Sequence, residues 1–374
     1  MIKKLWQKQL IKFRRLNNKQ KTLFIAFLLI FITGITISSV LSYRYFNQNK
    51  NKQEVVNQIE INAANFLDDS QIEKNDKKEL NVLLLGYGGA GHQGGMLADV
   101  IQIAQLNFEQ KTLSFISIPR DLEVKLNNTN YRKINAVFSS NMTGSEPMIN
   151  AGQVSKETLS LITGLNIRYF IAIDFVGFQR LIGKELGGIE VEVAQDFEDK
   201  WYPIEGKQLD PCGYSNDEIA HLTATLSGFN LESQFTCRYE RIYFPAGLQK
   251  MEGGDALKYV RSRHSSSDFD RSRRQVEVIT GIRKKLFDLD ALNKIPQFFK
   301  QVNQHVHTDF DLESLQYFAP LLVSANDFQI KNINLNTENV LNSSSSNNGS
   351  VLIPKAGRDN WNGLKIFLQE SLNN

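Results

Sequence analysis

NVLLLGYGGAGHQGGMLADVIQIAQLNFEQKTLSFISIPRD, residues 81–121, decides how this chain is built. Residues 82–85 read as a buried strand that runs into glycines from Gly86 to Gly95. Residues 100–106 form a second apolar run, 107–111 a turn, and 113–118 a third strand. A dinucleotide fingerprint would open a helix after its glycines. Here another strand follows, so the glycine-rich segment is a loop between two strands, and a plain flexible hairpin loop is its simplest reading. Asp99 stands where that loop re-enters the sheet. The third strand ends in Pro119-Arg120-Asp121. Charged residues just past a strand's carboxyl end lie where open α/β sheets place ligands.

Working outward, Lys133-Ile134-Asn135-Ala136 opens a helix, and residues 153–163 form another. A strand is expected at 169–174, a helix at 175–186 and a strand at 188–193. This alternation predicts an α/β fold, a three-layer α/β/α sandwich around a central mixed sheet. Residues 196–243 break the rhythm. They hold both cysteines and several aromatics and read as an irregular insertion, with an exposed hairpin over 204–211. A short helix at 253–260 restores the pattern. Further on, 291–302 and 312–323 read as amphipathic helices, 328–335 as a strand, 342–350 as a Ser/Asn/Gly loop and 361–372 as a last helix. The main domain spans 81–310, and 311–374 form a C-terminal α/β extension.

The N-terminal part differs in kind. Residues 1–22 hold eight of the chain's 43 Lys and Arg and no acid, so the remaining 35 face 40 Asp and Glu. The basic charge is a tail rather than a property of the folded part, which argues against nucleic acid as a partner. Residues 23–41 are apolar and uncharged, long enough to span a bilayer. With the positive flank before it, this segment predicts a single-pass membrane anchor, N-terminus cytoplasmic and the rest extracytoplasmic. A cleaved signal peptide is the alternative, disfavoured by the length of the run. Residues 42–80 are a polar stalk. Outside the cytoplasm, Cys212 and Cys237 most simply form a disulfide, or else remain two free thiols.

Residues 259–279, YVRSRHSSSDFDRSRRQVEVI, carry five arginines between Arg261 and Arg274. At about 100° per residue, Arg271 and Gln275 share the stripe of Val278, Ile282 and Leu286, while Arg273 lies opposite. An arginine aimed at the core near a helix start needs an anion: a phosphate, or an internal carboxylate such as Asp268 or Asp270. His305 and His307 flank one residue and read as a surface pair.

Three segments thus supply cations: Arg120, Lys133, and the set Arg261, Arg263, Arg271 and Arg274. Asp99 is a hard oxygen ligand suited to Mg²⁺. Such groups are the apparatus of phosphoryl transfer. No Walker A lysine motif accompanies them, and an extracytoplasmic site points to a lipid-linked phosphate rather than ATP.

The chain also resembles the LytR-CpsA-Psr family of membrane-anchored glycopolymer transferases. The matching pieces are Leu83-Leu84-Leu85-Gly86, Ala98-Asp99, Ser117-Ile118-Pro119-Arg120-Asp121, Lys133-Ile134-Asn135-Ala136 and Gly187-Gly188-Ile189. They continue with Gly253-Gly254-Asp255-Ala256-Leu257, Tyr259-Val260-Arg261-Ser262-Arg263, Asp268-Phe269-Asp270-Arg271 and Arg274-Gln275. The resemblance implies a phosphotransferase that moves a glycan from a polyprenyl-pyrophosphate carrier onto peptidoglycan or another envelope acceptor. It implies that Arg120, Arg261, Arg263, Arg271 and Gln275 grip the pyrophosphate, with Lys133 and Arg274 beside them. Asp99 would hold Mg²⁺, Asp121 is a candidate base, and an apolar pocket between sheet and helices would take the prenyl tail. One departure stands out: Gly88 and Leu97 occupy places where many members carry an acid and an arginine. His92 in the glycine loop is then a possible extra metal ligand. That departure keeps two alternatives open, a non-catalytic binding or regulatory protein and a lipid pyrophosphatase.

Overall fold

The computed structural model describes residues 78–92, 94–126, 130–262, 268–286, 305–311, 314 and 328–373. The expected tail, anchor and nearly all of the stalk lie outside these residues, as do the expected helix at 291–302 and all but residue 314 of that at 312–323. Among the described residues no helix is long and apolar enough to cross a membrane.

Along the chain come β1 (Glu79–Tyr87), β2 (Ala98–Asn107), β3 (Thr112–Ser117), β4 (Glu123–Lys125) and β5 (Tyr131–Lys133). Then follow α1 (Asn135–Ser140), α2 (Pro147–Thr163), β6 (Ile167–Asp174), α3 (Phe175–Arg180), β7 (Ile189–Val193) and β8 (Phe197–Pro203). The insertion supplies α4 (Asn216–Thr225) and α5 (Gly228–Glu232). After it come β9 (Tyr239–Phe244), β10 (Gly247–Met251), α6 (Gly253–Arg261), α7 (Asp268–Leu286) and β11 (Val306–Thr308). The chain closes with β12 (Gln329–Asn334), β13 (Leu341–Ser346), β14 (Gly349–Pro354) and α8 (Asn362–Asn373).

Among the described residues, six strands make the central sheet in the order β11-β6-β1-β2-β3-β12. Pairing is antiparallel for β1–β2, β2–β3 and β6–β11, and parallel for β1–β6 and β3–β12. The expected mixed sheet is therefore present. Its strands are apolar on both faces because both faces are covered. Leu83, Leu85, Ile103, Ile116 and Phe170 pack with α1, α2 and α8. Leu80, Val82, Leu106 and Phe115 pack on Val276 of α7. Each such fully buried side chain contributes roughly 1.5–3 kcal/mol. α2 lies close enough to the sheet that a Cβ on Gly152 would meet the Phe170 ring at 2.2 Å.

A second core gathers Ile182, Ile189, Val191, Met251, Leu257, Tyr259 and Val278, so α7 spans two cores. This dual burial explains its length. In the insertion, β8 and β9 pair antiparallel, and Ser215 caps α4 in a reciprocal box with Glu218. Neither α4 nor α5 buries a residue. Cys212 and Cys237 are disulfide-bonded, Cα–Cα 5.6 Å, and tie this poorly packed segment together.

Several boundaries differ from expectation. β1 begins at Glu79, inside the expected stalk, and α2 starts at Pro147, a residue whose fixed φ suits a helix's first turn. The helix expected over 175–186 passes into a π-turn at Leu181–Glu185. Turns replace the hairpin expected over 204–211. The Ser/Asn/Gly segment is no loop but the hairpin β13–β14, with Ser345 opposite Ser350. Strand pairing through the backbone needs no apolar side chain, which is why composition misled there. The C-terminal part completes the central sheet through β12 and its core through α8.

Candidate functional site

The carboxyl ends of β1, β3 and β6 and the start of β2 share one edge of the sheet. The glycine loop leaves β1 there, and its Gly89 N donates to Gly95 O at 2.8 Å. On one flank of the loop stands a row of alternating charges. Arg120 Nη1 lies 2.5 Å from Asp99 Oδ1, and Arg120 Nε lies 3.8 Å from Asp121 Oδ2. Lys133 Nζ lies 2.6 Å from Asp121 Oδ1. The hairpin register, Glu123 opposite Lys133, brings Lys133 back beside the β3 end. Two acids and two bases in series leave this flank close to neutral.

The other flank follows β6. Asp174 caps α3, and the next residue, Phe175, takes two partners on its ring. His92 from the glycine loop meets it edge-on at 5.2 Å between centroids, and the Arg261 guanidinium carbon sits 4.0 Å from its centroid. Arg261 ends α6 half-buried, and no acidic group pairs with it among the described residues. Its charge nonetheless reaches Tyr202, opposing the upward push that burial gives the phenol. A half-buried guanidinium stacked on a phenyl ring and lacking a carboxylate is poised for an anion.

Not every expected residue gathers here. Arg274 is fully buried, its Nε donating to Tyr259 O at 2.8 Å and its Nη2 to Ser262 O at 2.6 Å. Its guanidinium also lies 4.0 Å from the Phe197 ring centroid. Arg274 therefore satisfies the carbonyls at the end of α6, where a helix leaves acceptors open, and is withdrawn from any ligand. Burial pulls its pKa down to about 10. Gln275 is 7% exposed and accepts from Gln102 Nε2 at 3.4 Å; the same amide donates to Ser117 Oγ at 3.1 Å. It sits in a polar layer beneath the edge. Arg273 is not freely solvated but pairs with Asp270 and Glu277 at 3.3 and 3.4 Å. Arg271 is half-buried on α7, and Arg263 lies outside the described residues.

As for a metal, Asp99 is 44% exposed and offers a second carboxylate oxygen beyond the one on Arg120. Mg²⁺ commonly takes one or two carboxylates and completes its shell with water and substrate phosphate, a demand that Asp99 fits. The His92 ring packs on Phe175, with Nε2 3.7 Å from Glu205 Oε1. Among the described residues the one cluster with metal-like geometry is Asp210, Cys212 and Cys237, and its thiols are in the disulfide.

An apolar cavity of about 10 Å³, lined by Leu85, Ala98, Ile101, Val137, Phe138 and Leu159, lies between the sheet and α1–α2. That is scarcely room for one water. A prenyl tail would enter this cavity only with α1 and α2 displaced from the sheet.

Sequence reasoning missed Phe175, Glu205 and the part-buried Asp174–His305 pair. Asp174 directly before a helix was readable as a cap. Nothing local joined it to His305, which is partly buried and paired rather than simply solvated: its ring Nδ1 lies 2.9 Å from Asp174 Oδ2.

The sequence profile of the LytR_cpsA_psr family matches residues 35–359. The chain is 26% identical over 244 residues to a Bacillus subtilis protein named polyisoprenyl-teichoic acid–peptidoglycan teichoic acid transferase TagV, covering 62% of this chain and 50% of that protein. It is 22% identical over 300 residues to the Staphylococcus aureus regulatory protein MsrR, covering 79% and 76%. The crystal structure of B. subtilis TagV superimposes with a TM-score of 0.52 at 24% identity over 79% of this chain and 98% of that one, a likeness of fold.

Proposed function

The chain belongs to the LytR-CpsA-Psr family, and from that premise we propose that it is a membrane-anchored phosphotransferase of the cell envelope. Its donor is a glycan on a polyprenyl-pyrophosphate, and its acceptor is peptidoglycan or another envelope polymer. The observation that carries this reading is Arg261, held on Phe175 beside the glycine loop with no acid paired to it among the described residues. Support also comes from TagV, which is named for transfer of a teichoic acid to peptidoglycan.

In this reading the pyrophosphate lies along the sheet edge, with Arg261 on one flank and Arg120 on the other. Arg263 and Arg271 add to the grip. The acceptor hydroxyl oxygen bonds to the phosphorus that bears the glycan. The bond from that phosphorus to the bridging oxygen breaks, and polyprenyl phosphate leaves with the electron pair. Negative charge grows on the bridging oxygen, where fixed guanidinium groups lower the barrier most. Asp99 is the residue that would hold Mg²⁺, which when bound would neutralise phosphate charge. An anion at the edge competes with Asp99 for Arg120 and so loosens that pair. Asp121 is engaged by Lys133 and Arg120, which suits holding those cations better than accepting a proton.

A second reading, a non-catalytic binder, draws on Gly88 and Leu97 at the expected metal loop and on the name of MsrR. The test uses the full chain in lipid vesicles with a polyprenyl-pyrophosphate saccharide and a peptidoglycan oligomer, with and without Mg²⁺. A covalent glycan–peptidoglycan product that is lost in Arg261→Ala is the expected result. Binding without turnover would establish the second reading. Glycan phosphate released equally with and without acceptor would make the protein a pyrophosphatase.

A further inference from the structure

Asp174 and His305 form a pair that the mechanism above leaves unused. Asp174 ends β6 beside Tyr87 of β1 and is 9% exposed. Its Oδ1 accepts from Gly177 N at 2.6 Å, so the first turn of α3 fixes the carboxylate. Its Oδ2 faces His305 Nδ1 at 2.9 Å, and its backbone N donates to His305 O at 3.1 Å. His305 is thus held by both ring and backbone. A carboxylate on Nδ1 selects the tautomer protonated there and leaves a lone pair on Nε2. Nε2 makes no hydrogen bond to a described residue, and the ring is 20% exposed.

A structural tie is the plain alternative. Yet Val306 to Thr308 already pair with Ile173 to Ile171, so β11 is attached to β6 without any charge. A carboxylate sunk this far is costly unless its charge is used. Its place is also telling. Gly89, φ +88°, crosses directly over it: a Cβ there would come within 3.1 Å of Asp174 Cβ and 3.3 Å of Oδ2. The next residue, Phe175, holds Arg261. The pair stands at the same sheet edge as Arg261.

We propose that His305 is the general base of the transfer and that Asp174 is its positioning residue; this rests on the transferase reading above. Nε2 takes the proton of the acceptor hydroxyl as that oxygen bonds to phosphorus and polyprenyl phosphate departs. The imidazolium is stabilised by Asp174 and returns its proton to water. An oriented imidazole of this kind contributes roughly 10²–10⁴-fold.

The test compares the full chain in vesicles with His305→Gln, His305→Ala, Asp174→Asn and His307→Gln. Donor binding and transfer are measured separately, with thermal midpoints as a check on folding. Transfer should fall at least about 100-fold in His305→Gln while donor binding stays within about twofold. Added imidazole should restore part of the transfer in His305→Ala. In the wild type, transfer should fall towards acid, and His305→Gln should lose that limb. Among the described residues the titratable groups facing the ring are Asp174, His307 from β11, and Tyr87 through Asp174. His307→Gln should therefore keep the acid limb. Wild-type-like transfer in His305→Gln, or no imidazole rescue with the fold intact, overturns the assignment while leaving the transferase reading standing. A wild type that binds donor and transfers nothing overturns both.

Discussion

Arg261 and Arg274 come from one arginine-rich stretch and do opposite work. Arg274 is sealed between α6 and α7, where it binds two backbone carbonyls and covers the Phe197 ring. Arg261 ends α6 at the sheet edge, stacked on Phe175 and without an acid among the described residues. The contrast separates an arginine that closes a helix end from one that waits for a ligand. A core can tolerate the first because its hydrogen bonds are complete. The second keeps its charge available, and its stacking fixes where that charge points.

The sharpest way to break the contrast is to remove each guanidinium in turn. Arg274→Ala strands the carbonyls of Tyr259 and Ser262 and opens a void, so it should lower unfolding free energy by about 3–4 kcal/mol. Arg274→Lys should recover less than half of this, because an ammonium cannot reach two carbonyls with a planar fork. Arg261→Ala should cost under about 1 kcal/mol. Urea unfolding of the variants decides the matter; equal losses for the two alanines would erase the distinction.

Binding should reverse the order. Charge-assisted hydrogen bonds to phosphate contribute about 1.5–3 kcal/mol, so Arg261→Ala should weaken binding of a polyprenyl-pyrophosphate roughly ten- to hundredfold. Calorimetry on the stable variant reads this directly. Unchanged affinity would mean that Arg261 is an ornament of Phe175 and that the anion sits elsewhere.

Gly89 tests how far the open flank depends on close packing. Its φ of +88° is strained for any other residue, and a methyl group there would sit tightly, 3.1 Å from Asp174 Cβ. Gly89→Ala should cost about 1–2 kcal/mol and displace the loop that carries His92. A variant of wild-type stability would show that the loop can move off the Asp174 carboxylate without cost.

The same contrast explains what could be read in the residues alone. The strands of the central sheet were legible because each carries an apolar run with turn residues at its ends. So was the edge they share, since Asp99 and Arg120 directly flank such runs. Helical spacing placed Arg271 and Gln275 on the inner stripe, and Gln275 is buried. Spacing could not say what an inward arginine meets: Arg274 found carbonyls of its own chain, a long-range outcome with no local mark. His305 was unreadable for the same reason, since its partner lies 131 residues earlier. The β13–β14 hairpin was hidden by its serines and asparagines, because a ladder of backbone bonds leaves little trace in composition.

Glu277 offers the finest probe of the sealed joint. It accepts from Tyr259 Oη at 2.5 Å and pairs with Arg273 at 3.4 Å, yet burial outweighs both and raises its pKa. An acid whose folded pKa lies above its unfolded value holds its proton longer in the native state. Its contribution is then most favourable below the unfolded pKa and declines as pH rises through the folded one. Stability from this group should therefore fall from mildly acidic towards neutral pH. Glu277→Gln keeps an acceptor for Tyr259 and removes the titration, so it should flatten that part of the profile and change neutral-pH stability by under about 1 kcal/mol. Urea midpoints of both proteins from acid to neutral pH give the answer. A steeper slope in the variant would mean that Arg273 dominates over burial, and that the joint between α6 and α7 is held by charge rather than by the hydrogen bonds of Arg274.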